Sequence, residues 1–386
     1  MAAVTSTDDA LALCGIDAHA HARAVLAPAL RAGGAHASHA YLFHGPPGSG
    51  KRTVARAFAA ALLARDAGDA DEIASVHARI TRGAHPDLTW VTRSGAAEML
   101  VSDIEQPVVA AAARTPFEAA RRVFVIEAVE TLNDQAANRL LKTLEEPPDY
   151  VHLLLLTDRR GDVLPTIVSR CQAVRFDPLA PEQIARSLDG VDAERARACA
   201  RLSLGDARLA AQLARDDGAA LRAGAERFAR AALTGEVHER PWAALLEAAR
   251  AAGADAGERS LEGLADELEL VPAKERKRLE REGGEARRRV ERRARTEALD
   301  VSLRLVELWL RDVLCVADGA EELVHAVDRR EQLAQDARER DGFALREAIE
   351  LVADTRLRLA LNVSEELALE ALAYRLAALL AAAPVA

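Results

Sequence analysis

The chain has 386 residues, a net charge of −10, 50% apolar residues and only 3% aromatics. That length is too great for one core and implies two or three domains, while few aromatics and abundant alanine argue for helix-dominated packing and against an all-β fold. The acidic balance argues against a surface that tracks nucleic acid throughout, although it leaves room for a local basic patch.

Cysteines stand at 14, 171, 199 and 315 with no CxxC pair. No disulfide framework or local zinc site is readable from that spacing, and a reducing cytoplasm is the expected compartment. The opening MAAVTSTDDALALCG lacks the basic start and apolar core of a secretory signal. No run reaches the roughly 18 apolar residues of a membrane span, so no membrane association is expected.

In chain order, Tyr41–His44 (YLFH) reads as a strand that runs directly into GPPGSGKRT, residues 45–53. This is a P-loop, in which glycines let backbone N–H groups and a helix N-terminus face a phosphate. Gly45, Gly48 and Gly50 form the cradle, and Lys51 is the usual partner of the β and γ phosphates. The next position normally supplies a Ser or Thr hydroxyl to Mg²⁺ and here is Arg52. Thr53 follows one residue later, turned away by about 100° around the helix. An alanine-rich helix is predicted over Thr53–Leu63.

Leu88–Val91 (LTWV), Val123–Ile126 (VFVI), Val151–Thr157 (VHLLLLT) and Gln172–Phe176 (QAVRF) are further predicted strands. Their continuous rather than alternating hydrophobicity marks strands covered on both faces, as in a parallel sheet. After the third strand, Glu127 takes the position of the metal-binding carboxylate and Ala128 that of the residue that orients the attacking water. Glu127 could hold a metal, but it is one methylene longer than the usual Asp. The segment NDQAANRLLKTLEEPP reads as a helix capped by Asn133 or Asp134, with Ala137, Leu140, Leu141 and Leu144 on one face and a stop at Pro147–Pro148. The expected fold is therefore an α/β P-loop nucleotide-binding domain with a parallel sheet.

After Asp177-Pro178 strand patterns give way to helical ones. Short helices are predicted over Pro181–Leu188 and Ala193–Leu202, and a longer one from about Asp206. Ala251–Ser260 (AAGADAGERS) reads as a linker, and helices are predicted near 262–316, 319–337 and 342–380. The basic stretch 274–295 carries interspersed glutamates and no nearby aromatics, which favours an exposed, charge-laced helix pair over a nucleic-acid site. Leu303, Val306, Leu310 and Val313 have the spacing of a packed helix face. The expected division is 1–178, an α/β nucleotide-binding domain; 179–250, a small helical lid; and 251–386, an all-α C-terminal domain.

HAYLFHGPPGSGK (39–51), GAHPD (83–87), NRLLKTLEEPP (138–148), PTIVSRC (165–171) and LNVSEELALEAL (361–372) carry a family resemblance. Their order and spacing resemble the delta-prime subunits of bacterial DNA polymerase III clamp loaders, within the AAA+ class, over roughly residues 12–378. The resemblance implies a AAA+ domain, a helical lid and a collar that holds subunits in a hetero-pentameric ring with gamma/tau motor and delta subunits, which acts on a sliding clamp and primed DNA in DNA replication. It also implies that Arg170, of Ser169-Arg170-Cys171, is offered in trans as an arginine finger to a neighbour's ATP, an interaction that in known cases contributes roughly 10³–10⁵ in rate. An ordinary surface ion pair is the alternative for Arg170. Thr157 matches a γ-phosphate sensor or a strand-end cap, and Arg208, in a GxxR pattern, a phosphate-facing lid arginine or a solvated one. Many relatives carry a module with four zinc-binding cysteines, but Ala64–Arg82 has none and His77 alone cannot complete a tetrahedral site, so no zinc is expected.

With the Mg²⁺ hydroxyl and the water-orienting carboxylate both missing, negligible ATP hydrolysis is expected of the isolated chain. ATP or ADP bound without turnover and an empty, vestigial cradle both remain open. The alternative function is an active gamma/tau-like motor subunit of the same loader.

Overall fold

The computed structural model describes residues 16–30, 37–94, 98–270, 273–359 and 363–381. The N-terminal segment with Cys14, and Leu361 and Asn362 of the last motif, lie outside the described residues. The described chain divides into two compact units, residues up to 183 with 205–207, and residues 184–204 with those from 208 on.

In the first unit the strands are β1 (Ala40–His44), β2 (Leu88–Val91), β3 (Arg122–Ile126), β4 (Val151–Thr157) and β5 (Gln172–Arg175). They form one parallel sheet in the order β2-β3-β4-β1-β5. The helices are α1 (Ala20–Leu30), α2 (Lys51–Leu63), α3 (Ala70–Thr81), α4 (Val101–Ile104), α5 (Asp134–Glu145) and α6 (Pro165–Val168). Alternate strand residues serve opposite faces. Tyr41, Phe43, Val123, Val125, Leu154 and Leu156 pack with α1 and α2, whereas Leu42, Phe124, Ile126, Leu153 and Leu155 pack with α4, α5 and α6. Every residue of β4 is buried, which accounts for its unbroken apolar run.

Local chemistry sets the ends of these elements. Asn133 caps α5 by accepting the Ala136 N–H at 2.9 Å, and Ala137, Leu140 and Leu144 on its expected face are buried. Asp87, the last residue of GAHPD, is fully buried, and its carboxylate accepts N–H groups from Phe117 (2.6 Å), Glu118 (2.9 Å) and Ala119 (3.0 Å). Thus the motif staples the loop that leads into β3.

The second unit is helical: α7 (Pro181–Arg186) leads into it, followed by α8 (Ala193–Leu202), α9 (Ala207–Leu213), α10 (Asp216–Thr234), α11 (Trp242–Leu270), α12 (Ala273–Ala317), α13 (Arg330–Asp336), α14 (Gly342–Leu359) and α15 (Glu365–Leu380). One core joins residues from Cys199 to Leu380, and Leu303, Val306, Leu310 and Val313 are at its centre with 0% exposure. Several sequence expectations fail here. Ala251–Ser260 is no linker but part of α11, because its glycines serve helix contact. A Cβ on Gly253 would lie 2.9 Å from the Glu291 carbonyl oxygen, and one on Gly257 would meet the Glu291 side chain at 2.4 Å. Residues 274–295 belong to one continuous helix rather than a pair, with Arg287–Glu291 and Arg293–Glu297 pairs along it.

The helix expected from Asp206 is broken between Leu213 and Asp216, where Gly218 abuts the Gln212 carbonyl and Arg215 forks onto Asp217. The expected 319–337 helix shortens to α13, since buried Asp312 draws in the backbone N–H groups of His325 (2.9 Å) and Ala326 (2.8 Å) and bends the chain. The 342–380 helix is two helices, with extended Ser364 at the N-cap of α15.

Burial opposes ionisation of Asp87, but its three N–H donors outweigh it and hold the carboxyl below its usual range. Its stabilisation is therefore full above that range and is lost as pH falls through the depressed folded value. Asp87→Ala is expected to cost about 3 kcal/mol in urea unfolding at neutral pH, since buried donors lose a charged acceptor, and the difference should shrink in acid. A pH-independent difference would contradict this account.

Candidate nucleotide site

Because β1 and β3 flank β4, their carboxyl ends open onto one edge, where the sheet's connections diverge. The P-loop leaves β1 and wraps into α2 with left-handed glycines: φ is +67° at Gly48 and +89° at Gly50, and Gly45 is at +155°. At Gly45 and Gly48 space as well as conformation demands glycine. A Cβ on the first would meet the Phe176 carbonyl oxygen at 2.2 Å, and one on the second the Asp206 carboxylate at 1.7 Å. The Gly48 carbonyl accepts the N–H of Ala207 at 3.2 Å, so residues 205–207 dock on the cradle.

Lys51 starts α2 and is buried. Its Nζ donates to the carbonyls of Gly45 and Pro46, both at 2.7 Å, and pairs with Asp158 at 2.7 Å. A phosphate arriving at this ammonium would exchange with the exposed Asp158 carboxylate, one anion for another. Arg52 turns across the sheet edge to Glu127, its Nε donating to Oε1 at 2.6 Å and its Nη2 to Oε2. Trp90, at the end of β2, also donates its Nε1–H to Glu127 Oε1 at 2.6 Å, and Arg56 lies over the Trp90 ring, 5.0 Å from its centroid. Thr53 is exposed.

Tested against these contacts, a Mg²⁺ ion does not fit. Mg²⁺ demands near-octahedral oxygen ligands, yet both oxygens of Glu127 face N–H donors and the residue after Lys51 brings a cation rather than a hydroxyl. Ala128 follows with a left-handed backbone, φ 52° and ψ 45°. Its methyl group can neither accept a proton nor orient water. Thr157, buried at the end of β4 and in register with His44, accepts the Arg159 N–H at 3.0 Å.

The structure thus gathers Gly45, Gly48, Gly50, Lys51, Arg52, Glu127 and Thr157 on one edge. Arg170 is apart, exposed beyond α6, donating to Glu145 at 2.6 Å and to the Thr166 carbonyl at 3.0 Å. Its neighbour Cys171 has a thiol that burial pushes up to about 12, far from nucleophilic. Arg208 is an exposed residue of the second unit.

Sequence reasoning missed Trp90, Asp158, Asp206 and His19. His19 is buried, its Nε2 lying 3.6 Å from where a Gly50 Cβ would be, and its ring centroid 4.9 Å from that of Phe176. Burial lowers its pKa, a backbone hydrogen bond with Ser49 working the other way. Only Asp158 carried a readable signal, standing directly after the end of a buried strand.

A parallel sheet with a P-loop after its first strand, a carboxylate after the third and the turn at 205–207 docked on the cradle fits a AAA+-type domain. Residues 20–180 match the family model described as DNA polymerase III, delta subunit. The DNA polymerase III subunit delta′ of Pseudomonas aeruginosa is 36% identical over 168 residues, 42% of this chain and 51% of that protein. The subunit delta′ of Bacillus subtilis is 33% identical over 150 residues (38% and 44%), and the subunit tau of Bacillus subtilis 36% identical over 164 (41% and 28%). The chain spans about half or less of the length of these curated relatives. Among solved structures, a DNA polymerase III gamma subunit-related protein of Thermotoga maritima has a TM-score of 0.42 and 17% identity, covering 88% of this chain and 95% of that one. Over residues 20–180 the chain is thus similar to clamp-loader subunits of DNA polymerase III.

A left-handed alanine is strained where glycine is not. Ala128→Gly is expected to raise unfolding stability by up to about 1 kcal/mol; a loss measured by urea denaturation would contradict the backbone assignment.

Proposed function

We propose that the chain is a delta-prime-type clamp-loader subunit. In this reading it joins gamma/tau-type motor and delta subunits in a ring, holds ATP or ADP without turning it over, and helps load a sliding clamp on primed DNA. The observation that carries the reading is the engagement of Glu127 by Arg52 and Trp90 beside Ala128, which occupies both oxygens of the carboxylate at the metal position and puts a methyl group where water would be oriented. A tau subunit is as similar as the delta′ subunits, so similarity alone does not choose between a stator and a motor. The site chemistry favours the stator.

Arg170 is the group we propose to act in trans. The pair with Glu145 that holds it is solvent-exposed, with side-chain exposures of 36% and 50%. Such pairs contribute at most about 1 kcal/mol, so a neighbour's phosphate would displace Glu145 at little cost. The guanidinium is permanently charged and matches phosphate geometry.

The test is a loader assembled with Arg170→Ala. The complex is expected to form normally by size exclusion, while DNA-stimulated hydrolysis at the adjoining site falls by roughly 10³ or more. An intact complex with an unchanged rate would overturn the role.

A further inference from the structure

The Arg52–Glu127 contact does more than remove a metal site. Without a metal, the site still needs a positive charge between the P-loop helix and the acidic end of β3. In a metal-using P-loop a hydroxyl on the first turn of the helix and the strand carboxylate hold the ion between them. Here the residue at the hydroxyl's position reaches that carboxylate itself, forking onto both oxygens of Glu127. The contact is braced from the far side, for Trp90 Nε1–H donates to Oε1 at 2.6 Å and the ring of Trp90 is covered by Arg56. The Glu127 side chain is 15% exposed, whereas that of Arg52 is 47% exposed. The carboxylate is therefore shut in while about half of the Arg52 side chain is open to solvent.

We propose that the Arg52 guanidinium is a built-in substitute for the divalent cation, making the cradle a site for metal-free nucleoside di- or triphosphate. Lys51, the P-loop amides and the remaining face of Arg52 supply the positive field that phosphate oxygens need. A guanidinium cannot exchange, polarise a bridging oxygen strongly or activate water, so the substitution supports binding without chemistry. The inference rests on the proposal that the cradle takes nucleotide at all, and the experiment separates the two.

The full chain is titrated with ADP carrying a fluorescent N-methylanthraniloyl group, once in excess EDTA and once in excess magnesium chloride. The expected affinities agree within about twofold, since the site's own cation is covalently attached. The same titration of Arg52→Thr, which returns a hydroxyl and frees Glu127, is expected to favour magnesium by about tenfold or more. Tighter binding of the unaltered chain in magnesium, by tenfold, would overturn the substitution and leave the nucleotide reading standing. Absence of binding in both buffers would overturn both. Indifference of Arg52→Thr to magnesium would also overturn the assignment, since Glu127 would then have no metal to regain.

Discussion

The reach of Arg52 across the sheet edge to Glu127 fixes what the nucleotide face can do. Adjacent strands lie about 4.8 Å apart, so the ends of β1 and β3, with β4 between them, are separated by roughly twice that distance. A serine or threonine on the first turn of α2 is too short to bridge such a gap, and a metal ion normally fills it. Arginine is long enough to span it unaided, and its planar fork satisfies both carboxylate oxygens at once. Trp90 completes the arrangement from β2, so two strand ends and one helix turn are tied together by side chains alone. The positive charge that meets Glu127 is here part of the covalent chain.

That bond gives the rest of the domain a consistent logic. The glycines still shape a phosphate cradle, Lys51 still sits at its mouth, and residues 205–207 still dock on Gly48. The phosphate-shaped turn is present, while Arg52 and Ala128 stand where a hydroxyl and a second carboxylate would be expected. Arg170, by contrast, is held at the surface by a weak exposed pair with Glu145, and both residues belong to motifs that carry the family resemblance. The chain thus keeps an exchangeable surface arginine while its own carboxylate at the P-loop edge is sealed.

The sheet was legible because its strands are buried on both faces. VHLLLLT and VFVI admit no alternating pattern, and β4 and β3 are correspondingly covered. The cradle was legible because Gly45, Gly48 and Gly50 are demanded by backbone geometry. Arg52 and Glu127 were each flagged, but their contact was not, because it depends on strand order and arginine length rather than on spacing along the chain. Trp90, Asp206 and His19 were hidden for the same reason. The helical region misled where one residue type serves two purposes. Glycines in AAGADAGERS looked like a linker and are instead close-packing points against Glu291. Buried carboxylates such as Asp312 redirect the backbone in ways that helical periodicity does not record.

The central claim is that the chain keeps a phosphate cradle whose catalytic cation and base have been replaced by Arg52 and Ala128. Phosphate release by the purified chain in saturating ATP and magnesium, with Lys51→Ala as the control, tests it most directly. The account predicts no release above that control. Turnover on the order of 1 s⁻¹ that Lys51→Ala abolishes, within the ordinary range for such enzymes, would contradict it.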